Sequence, residues 1–380
     1  MTSRSIGNQR LHLDGVVLPD GERRELWIAE GLVRTEPVRD AVELTGGWIV
    51  PGLVDAHCHV GLDMQGAVPD EVAEEQALAD RAAGALLLRS PGSPTDTRWM
   101  DERPDLPRLI RAGHHIARPK RYIRNYADEI DGDEITAEDM IAAIDLQVPR
   151  SDGWIKLVGD WIDRDAGDLA PLWPTDAVHA AIDHAHDLGL KVTAHVFGEE
   201  AVAELVDAGI DAIEHGTGIT ADVVEQMAQR QVALVPTMIQ LENFESFAAS
   251  GEAKFPAYAR HMRSLYATRV ERIRAAYEAG VPIYAGTDAG GYQPHGRIGD
   301  EVAELSAIVG NENALAAASW RARSWLGRPD ALTEGAPADL VVYDEDPRTG
   351  LSALKRPRHI VLRGTPYHGH RHNHGKLNGH

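Results

Sequence analysis

Two histidines separated by one residue, His57 and His59, close the apolar run WIVPGLVDA. In an extended strand, residues i and i+2 point to the same face, so both imidazoles can address one ion while Cys58 points away. Alone, such a pair fits hydrogen-bonded core histidines about as well as a metal site. Four further residues shift that balance. Lys156 in GWIKLVGD, His195 in KVTAHVFGEEA, His215 in IDAIEHGTG and Asp288 in IYAGTDAGG each lie at or just past the end of a β-like apolar run. Nitrogen and oxygen ligands without thiolate suit zinc, and manganese or iron accept the same set. His195 and His215 stand 20 residues apart (215 − 195), one short βα unit, which places them at the ends of adjacent strands.

Lys156 poses a different problem. Alternation in WIKLV puts Trp154, Lys156 and Val158 on one face of a strand that reads as buried on both. A free ammonium there is costly to desolvate. It must either pair with a carboxylate or combine with carbon dioxide as a carbamate, an anion able to bridge two cations. Asp288 has glycines on both sides, which let the backbone turn sharply and approach a ligand. An aspartate in that place also serves as a helix cap.

Positioning these residues requires a scaffold of βα units. Strand patterns fall near 52–59, 84–89, 112–117, 153–159, 190–196, 210–214, 232–237 and 282–287. Helical patterns lie between them. DAVHAAIDHAHDLG, EEAVAELVDAG and TRVERIRAAYEAG each end on a glycine in the C-cap position. The expected fold class is therefore α/β, a (β/α)8 TIM barrel over residues 51–330 with its chemistry at the C-terminal ends of the strands. Residues 1–50 and 331–367 contain short alternating runs with glycine turns and predict a small composite β-sandwich. Residues 368–380, HGHRHNHGKLNGH, have no apolar face to bury and predict a disordered His-rich tail.

This set resembles the amidohydrolase superfamily of metal-dependent hydrolases, in the branch of the imidazolonepropionase-like and prolidase-like enzymes. PGLVDAHCH, HVFGEEAVAELVDAGIDAIEHG and GAPADLVVYDEDP carry the likeness along nearly the whole chain. The resemblance implies His57, His59, Lys156, His195, His215 and Asp288 as metal ligands, about two zinc ions per chain and a carboxylated Lys156. It implies Asp288 as the general base for cleavage of a C–N bond in an N-acyl amino acid, a dipeptide or an imidazolone-like ring. Relatives place a substrate-binding histidine after the third strand, which puts His114 and His115 forward. Tyr292, His295 and Arg297 in GGYQPHGRIGDE are further candidates for substrate contact. Three alternatives stay open. One is a mononuclear deaminase with Glu199 as proton shuttle, another a lactonase or phosphotriesterase, and the third a non-catalytic binding protein on the same scaffold.

Composition narrows the partners. The net charge is −21, from 38 basic and 59 acidic residues, which argues against nucleic acid and anionic membranes. No apolar stretch reaches the roughly 18 residues of a membrane span, and the first 15 residues have no signal-peptide core. A single cysteine excludes an internal disulfide framework. The expectation is a cytoplasmic enzyme with a small-molecule substrate, and a homo-oligomer is left open.

Overall fold

A computed structural model describes residues 9–132 and 134–368. The two ends of the chain meet in one eight-stranded sheet. Strand Leu11–Val17 pairs antiparallel with Glu22–Ala29 and parallel with Val42–Leu44 and Trp48–Pro51. Its Leu11, Leu13 and Val17 are buried while Asp14 faces out, the period-2 pattern of a half-covered strand. Trp48–Pro51 also pairs antiparallel with Leu340–Tyr343, which is followed in the sheet by His359–Leu362 and Thr365–His368. Trp48–Pro51 is paired on both edges, so the strands join in one continuous sheet, and buried side chains from both halves of it, such as Leu13, Ile28, Leu340 and Val361, share one core. The last strand runs through His368. The rest of the expected tail, residues 369–380, lies outside the described residues.

Between these ends two sheets are parallel, and two short antiparallel hairpins, Leu62–Asp63 with Gly66–Ala67 and Asp160–Asp163 with Asp168–Pro171, stand apart from them. One sheet has the order Arg108–Arg111, Ala85–Ser90, Leu53–Asp55. The other has the order Ala127–Glu129, His115–Ala117, Trp154–Val158, Lys191–Val196, Ala212–His215, Ala233–Val235. The third expected strand is interrupted at residues 112–114, where Gly113 has φ 72°. Only His115–Ala117 of the expected 112–117 is strand, paired with Trp154–Val158, while Arg108–Arg111, just before the expected start, pairs with Ala85–Ser90 in the other sheet.

The eighth expected strand, 282–287, makes no regular ladder and has a single bridge, Leu234 to Ile283, with a second, Cys58 to Ala289, just past its end. Pro282 has no N–H to give, and Asp288 is left-handed with φ 56°, so the extended run is short. It still connects the sheets. Leu234 N–H donates to the Pro282 carbonyl (2.8 Å), and Ala56 N–H donates to the Ala285 carbonyl (2.9 Å).

Inward side chains along the strands form layers. Val54, Leu87, Ile110, Trp154, Ala212 and Ala233 pack as an apolar layer. Two residues further along the strands stand Arg89, Lys156 and Glu214, a buried polar layer set directly beneath the strand ends. Helices Thr175–Asp187, Glu199–Asp207 and Ala221–Arg230 cover the outside with their buried apolar faces. Among the described residues no helix is long and apolar enough to cross a membrane.

Candidate metal centre

The first strand ends at Asp55, so His57 and His59 lie just beyond the ladder and strand alternation does not orient them. Hydrogen bonds do. Asp55 is buried and accepts from His57 N–H (3.2 Å), Thr287 N–H (3.0 Å) and the Thr287 hydroxyl (2.6 Å), tying this turn to the one that carries Asp288. The flanking glycines permit the approach. A Cβ on Gly286 would meet His57 Cβ at 2.6 Å, and one on Gly290 would meet the His59 carbonyl at 2.6 Å.

His57 Nδ1 lies 2.7 Å from Glu214 Oε2, and His59 Nδ1 lies 2.6 Å from the Gly92 carbonyl. Both partners accept only, so each Nδ1 carries the hydrogen and each Nε2 is turned inward. The two Nε2 atoms are 3.1 Å apart, and each is 3.1 Å from Asp288 Oδ1. His57, His59 and Asp288 thus converge on one point. Two imine lone pairs and a carboxylate at such distances repel unless positive charge lies among them. Accordingly, although burial alone would lower the pKa of His57, Glu214 and Asp288 outweigh it and push it up. Burial would raise Asp288, but His57 holds its carboxyl well below the usual range. This donor set fits a divalent cation, with backbone and carboxylate partners behind both histidines.

His195 and His215 form a second pair. His195 Nδ1 lies 3.0 Å from His215 Nε2, and the His215 ring is 5.2 Å from that of His57. His215 Nδ1 is held by the Thr237 hydroxyl at 2.8 Å. His195 Nε2 is buried without a partner among the described residues. Burial keeps both imidazoles neutral, with His215 lowered to about 3 and His195 well below its ordinary value. His215, Thr237 and Asp288 all have left-handed backbones, at φ 64°, 48° and 56°. Such strain in residues other than glycine collects at functional sites.

Lys156 is 1% exposed and faces this chamber from the fourth strand. Among the described residues no hydrogen bond or ion pair engages it. Burial lowers its pKa to about 8 against the opposing pull of Glu214 and Asp288. Glu214 itself is fully buried. Arg89 Nη1 donates to its Oε1 (2.8 Å), and the Thr193 hydroxyl donates to the same oxygen. Arg89 stacks over the Trp154 ring at 4.1 Å.

The weaker candidates divide. His115 is fully buried. Its ring sits 5.2 Å from His59, its Nδ1 faces the Tyr126 carbonyl at 3.3 Å, and its Nε2 has no partner among the described residues. Tyr292 lines a cavity of about 400 Å³ that opens onto His59, His195 and Asp288. His114, His295 and Arg297 do not border that cavity. Gly113 turns His114 outward, where its ring meets Asp128 at 3.0 Å. His295 is locked to buried Asp80 at 2.7 Å, and Arg297 pairs with Asp300 at 2.7 Å beside a helix start. Glu199 also faces elsewhere. Its carboxylate is shared between Arg272 (2.8 Å) and His261 (2.8 Å) and borders a separate cavity.

Sequence reasoning missed Glu214, Arg89, Asp55 and Thr237. Arg89 in GALLLRS and Glu214 in DAIEHG carried the signal used for Lys156, a charge inside an apolar run.

Residues 48–365 match the model of the amidohydrolase family. The chain belongs to this family. An uncharacterised protein of Mycobacterium tuberculosis is 54% identical over 360 residues, covering 94% of this chain and 96% of its own. A crystal structure of a Xaa-Pro dipeptidase with bound methionine superposes with a TM-score of 0.79 at 22% identity, covering 95% of this chain and all of that one. The structure of Aspergillus niger ochratoxinase gives 0.76 at 19% identity, over 95% of this chain and 96% of that one. The imidazolonepropionase of Chromobacterium violaceum is a distant homologue, 25% identical over 350 residues, 80% of this chain and 79% of its own. Within the amidohydrolase family the structural neighbours are therefore prolidase-like, as the motifs implied.

Proposed function

We propose that this amidohydrolase is a binuclear, zinc-dependent hydrolase of C–N bonds, working at the mouth of a closed (β/α)8 barrel that spans residues 51–330. The observation that carries the reading is the convergence of His57 Nε2, His59 Nε2 and Asp288 Oδ1 within 3.1 Å of one another. His57, His59 and Asp288 would hold one ion and His195 and His215 the other, with Lys156, once carboxylated, as a further anionic ligand. Divalent ions in such a site supply Lewis-acid activation of water and of the scissile carbonyl.

The chain's own residues do the rest. The buried amine of Lys156, lowered to about 8, is partly neutral near neutral pH. That form adds to carbon dioxide, its nitrogen lone pair forming the N–C bond while one proton leaves, and the product is an anionic carbamate. Asp288 stays ionised at neutral pH, so it accepts a proton from the attacking water and returns it to the leaving amine. His115 does not border the cavity and packs behind His59, so it acts on the site through that ring and not by touching substrate. Aromatic side chains line the approach to the reacting centre. The deaminase alternative has less support, because Arg272 and His261 hold Glu199 away from the cavity.

The test is amine release from a panel of N-acyl amino acids, dipeptides and cyclic amides, by zinc-loaded protein and by its Asp288→Asn variant. Turnover on at least one class is expected, with a loss of roughly two to four orders of magnitude in the variant. Activity confined to ammonia release from aminopurines and amidines, or a variant as active as the parent, contradicts the reading.

A further inference from the structure

A second cavity, of about 500 Å³, shares no lining residue with the chamber over the ligand cluster. Its walls come from the end of helix Pro256–Glu278, the stretch 280–284 and the helices Ile298–Val309, Asn311–Ala317 and Trp320–Trp325. Tyr284 stands near the start of the segment that ends in Asp288, and with Trp325 it packs against the apolar layer of Val54, Trp154 and Ala233. The cavity thus lies at the opposite end of the strands from the histidines. Tyr284 and Trp325 stack with centroids 4.2 Å apart and planes 10° from parallel, and Tyr277 adds a third ring. All three are half-buried, so each keeps ring surface that packing has not used. Such surface at a concave site favours another planar ring, whose burial is worth about 25 cal/mol for each Å² removed from water.

Arg321 is the residue in the lining that bears a full charge. It is exposed, and its Nη2 donates to the neutral amide of Asn313 (2.8 Å). Among the described residues it forms no ion pair. Burial pushes the Tyr284 hydroxyl up to about 12 against the opposing pull of Arg321, so that hydroxyl keeps its proton as a donor. Stacked rings, an uncompensated guanidinium and a phenol donor occur together here with no carboxylate in the lining, in a chain of net charge −21. An anion is repelled by most of such a surface and attracted at this place.

Trp325 also leads back toward the candidate metal centre. Its ring meets Trp154 edge-on at 5.3 Å, and the Arg89 guanidinium lies 4.1 Å from the Trp154 ring and 5.2 Å from that of Trp325. Arg89 holds Glu214, and Glu214 holds His57. A ring added to the Tyr284–Trp325 stack therefore bears on the group that orients a candidate ligand.

We propose that this cavity is an effector site for a compact planar aromatic anion, such as an aromatic carboxylate. The ring packs against Tyr284 and Trp325, Arg321 pairs with the acid group, and occupancy alters the hold of Glu214 on His57 through Arg89. The coupling rests on the metal-centre reading above, whereas the ligand class rests on the cavity alone.

The probe is 2-naphthalenesulfonate, an aromatic anion that is a poor zinc ligand, titrated calorimetrically into zinc-loaded protein and compared with the neutral methyl 2-naphthyl sulfone. Tighter binding of the anion is expected, by roughly three- to fivefold, with that preference lost at high salt. Arg321→Met, a change at an exposed side chain, should erase the preference, and Tyr284→Leu should weaken both probes. Lys254→Met, in the other cavity, should change neither. No binding, equal binding of the two probes, or a preference that survives Arg321→Met overturns the site. The coupling is read as zinc affinity in a chelator competition with and without saturating probe, and a change of about fivefold or more is expected. Unchanged zinc affinity with the probe bound overturns the effector role. If no zinc binds at His57, His59 and Asp288, the metal-centre reading fails instead, while a preference set by Arg321 still upholds the aromatic-anion site.

Discussion

Glu214 is the residue on which the ligand geometry most depends. It fixes the tautomer and direction of His57 through a 2.7 Å bond and is itself held by Arg89 and Thr193. A carboxylate behind a ligating histidine raises its basicity, and removing one typically costs 10- to 100-fold in metal affinity, about what Glu214→Gln should show in a chelator competition. The same change leaves the fully buried Arg89 without its counter-charge, at a cost on the order of 3 kcal/mol in unfolding free energy. Unchanged metal affinity in a folded Glu214→Gln protein would separate Glu214 from the site. At this scale the sequence was informative where a residue type was chemically out of place. Lys156 in WIKLV announced itself. Arg89 and Glu214 were equally misplaced but stand at strand ends, where a charge is ordinary. The choice between His114 and His115 turned on the left-handed Gly113, which no pattern of residue types reveals.

At the scale of elements, the site is roofed by two pieces that grip each other. The antiparallel hairpin Asp160–Asp163 and Asp168–Pro171 brings Trp161 over the cavity, and helix Pro256–Glu278 lies across it. His261 of that helix bonds Asp168 of the hairpin (3.0 Å) and Glu199 at the start of helix Glu199–Asp207 (2.8 Å), with Arg272 on the same carboxylate. Glu199 first, then Asp168, pushes the pKa of His261 up to about 9. A raised histidine stabilises fully below its unfolded value near 6.5 and loses that contribution as pH rises through 9. Glu199, lowered to about 2 chiefly by His261, contributes above about 4.5 and loses its part as pH falls toward 2. The thermal-stability gap between the parent protein and His261→Gln should therefore be widest between about pH 4.5 and 6.5 and shrink toward pH 9. A gap that stays constant across that range would remove the clamp. None of this was legible beforehand. Hairpin, helix and loop are distant in sequence, and periodicity reports which face of an element is buried, not what it is buried against.

Across the whole molecule, the parallel strands were legible because each is a short apolar run between glycine-stopped helices. Two departures have local causes. The third strand is split by Gly113, and the run at 282–287 is cut short by Pro282 and the left-handed Asp288. In both places the irregular backbone lies beside candidate site residues, His115 and Asp288. The joining of the chain's two ends through Trp48–Pro51 and Leu340–Tyr343 is a pairing across nearly 300 residues, which only the shared alternating character of the ends foreshadowed. The fold matters to the proposed chemistry because it brings the candidate ligands, from or just past the first, fourth, fifth and sixth strands and from the 282–288 segment, to one end of the sheets. Anomalous diffraction at the zinc edge, from crystals grown with zinc and bicarbonate, tests that convergence most directly. The prediction is two peaks about 3.5 Å apart, one on His57, His59 and Asp288 and the other on His195 and His215, with branched density on Lys156 between them. A single peak with a bare Lys156 ammonium, or peaks only away from these residues, would contradict the binuclear site.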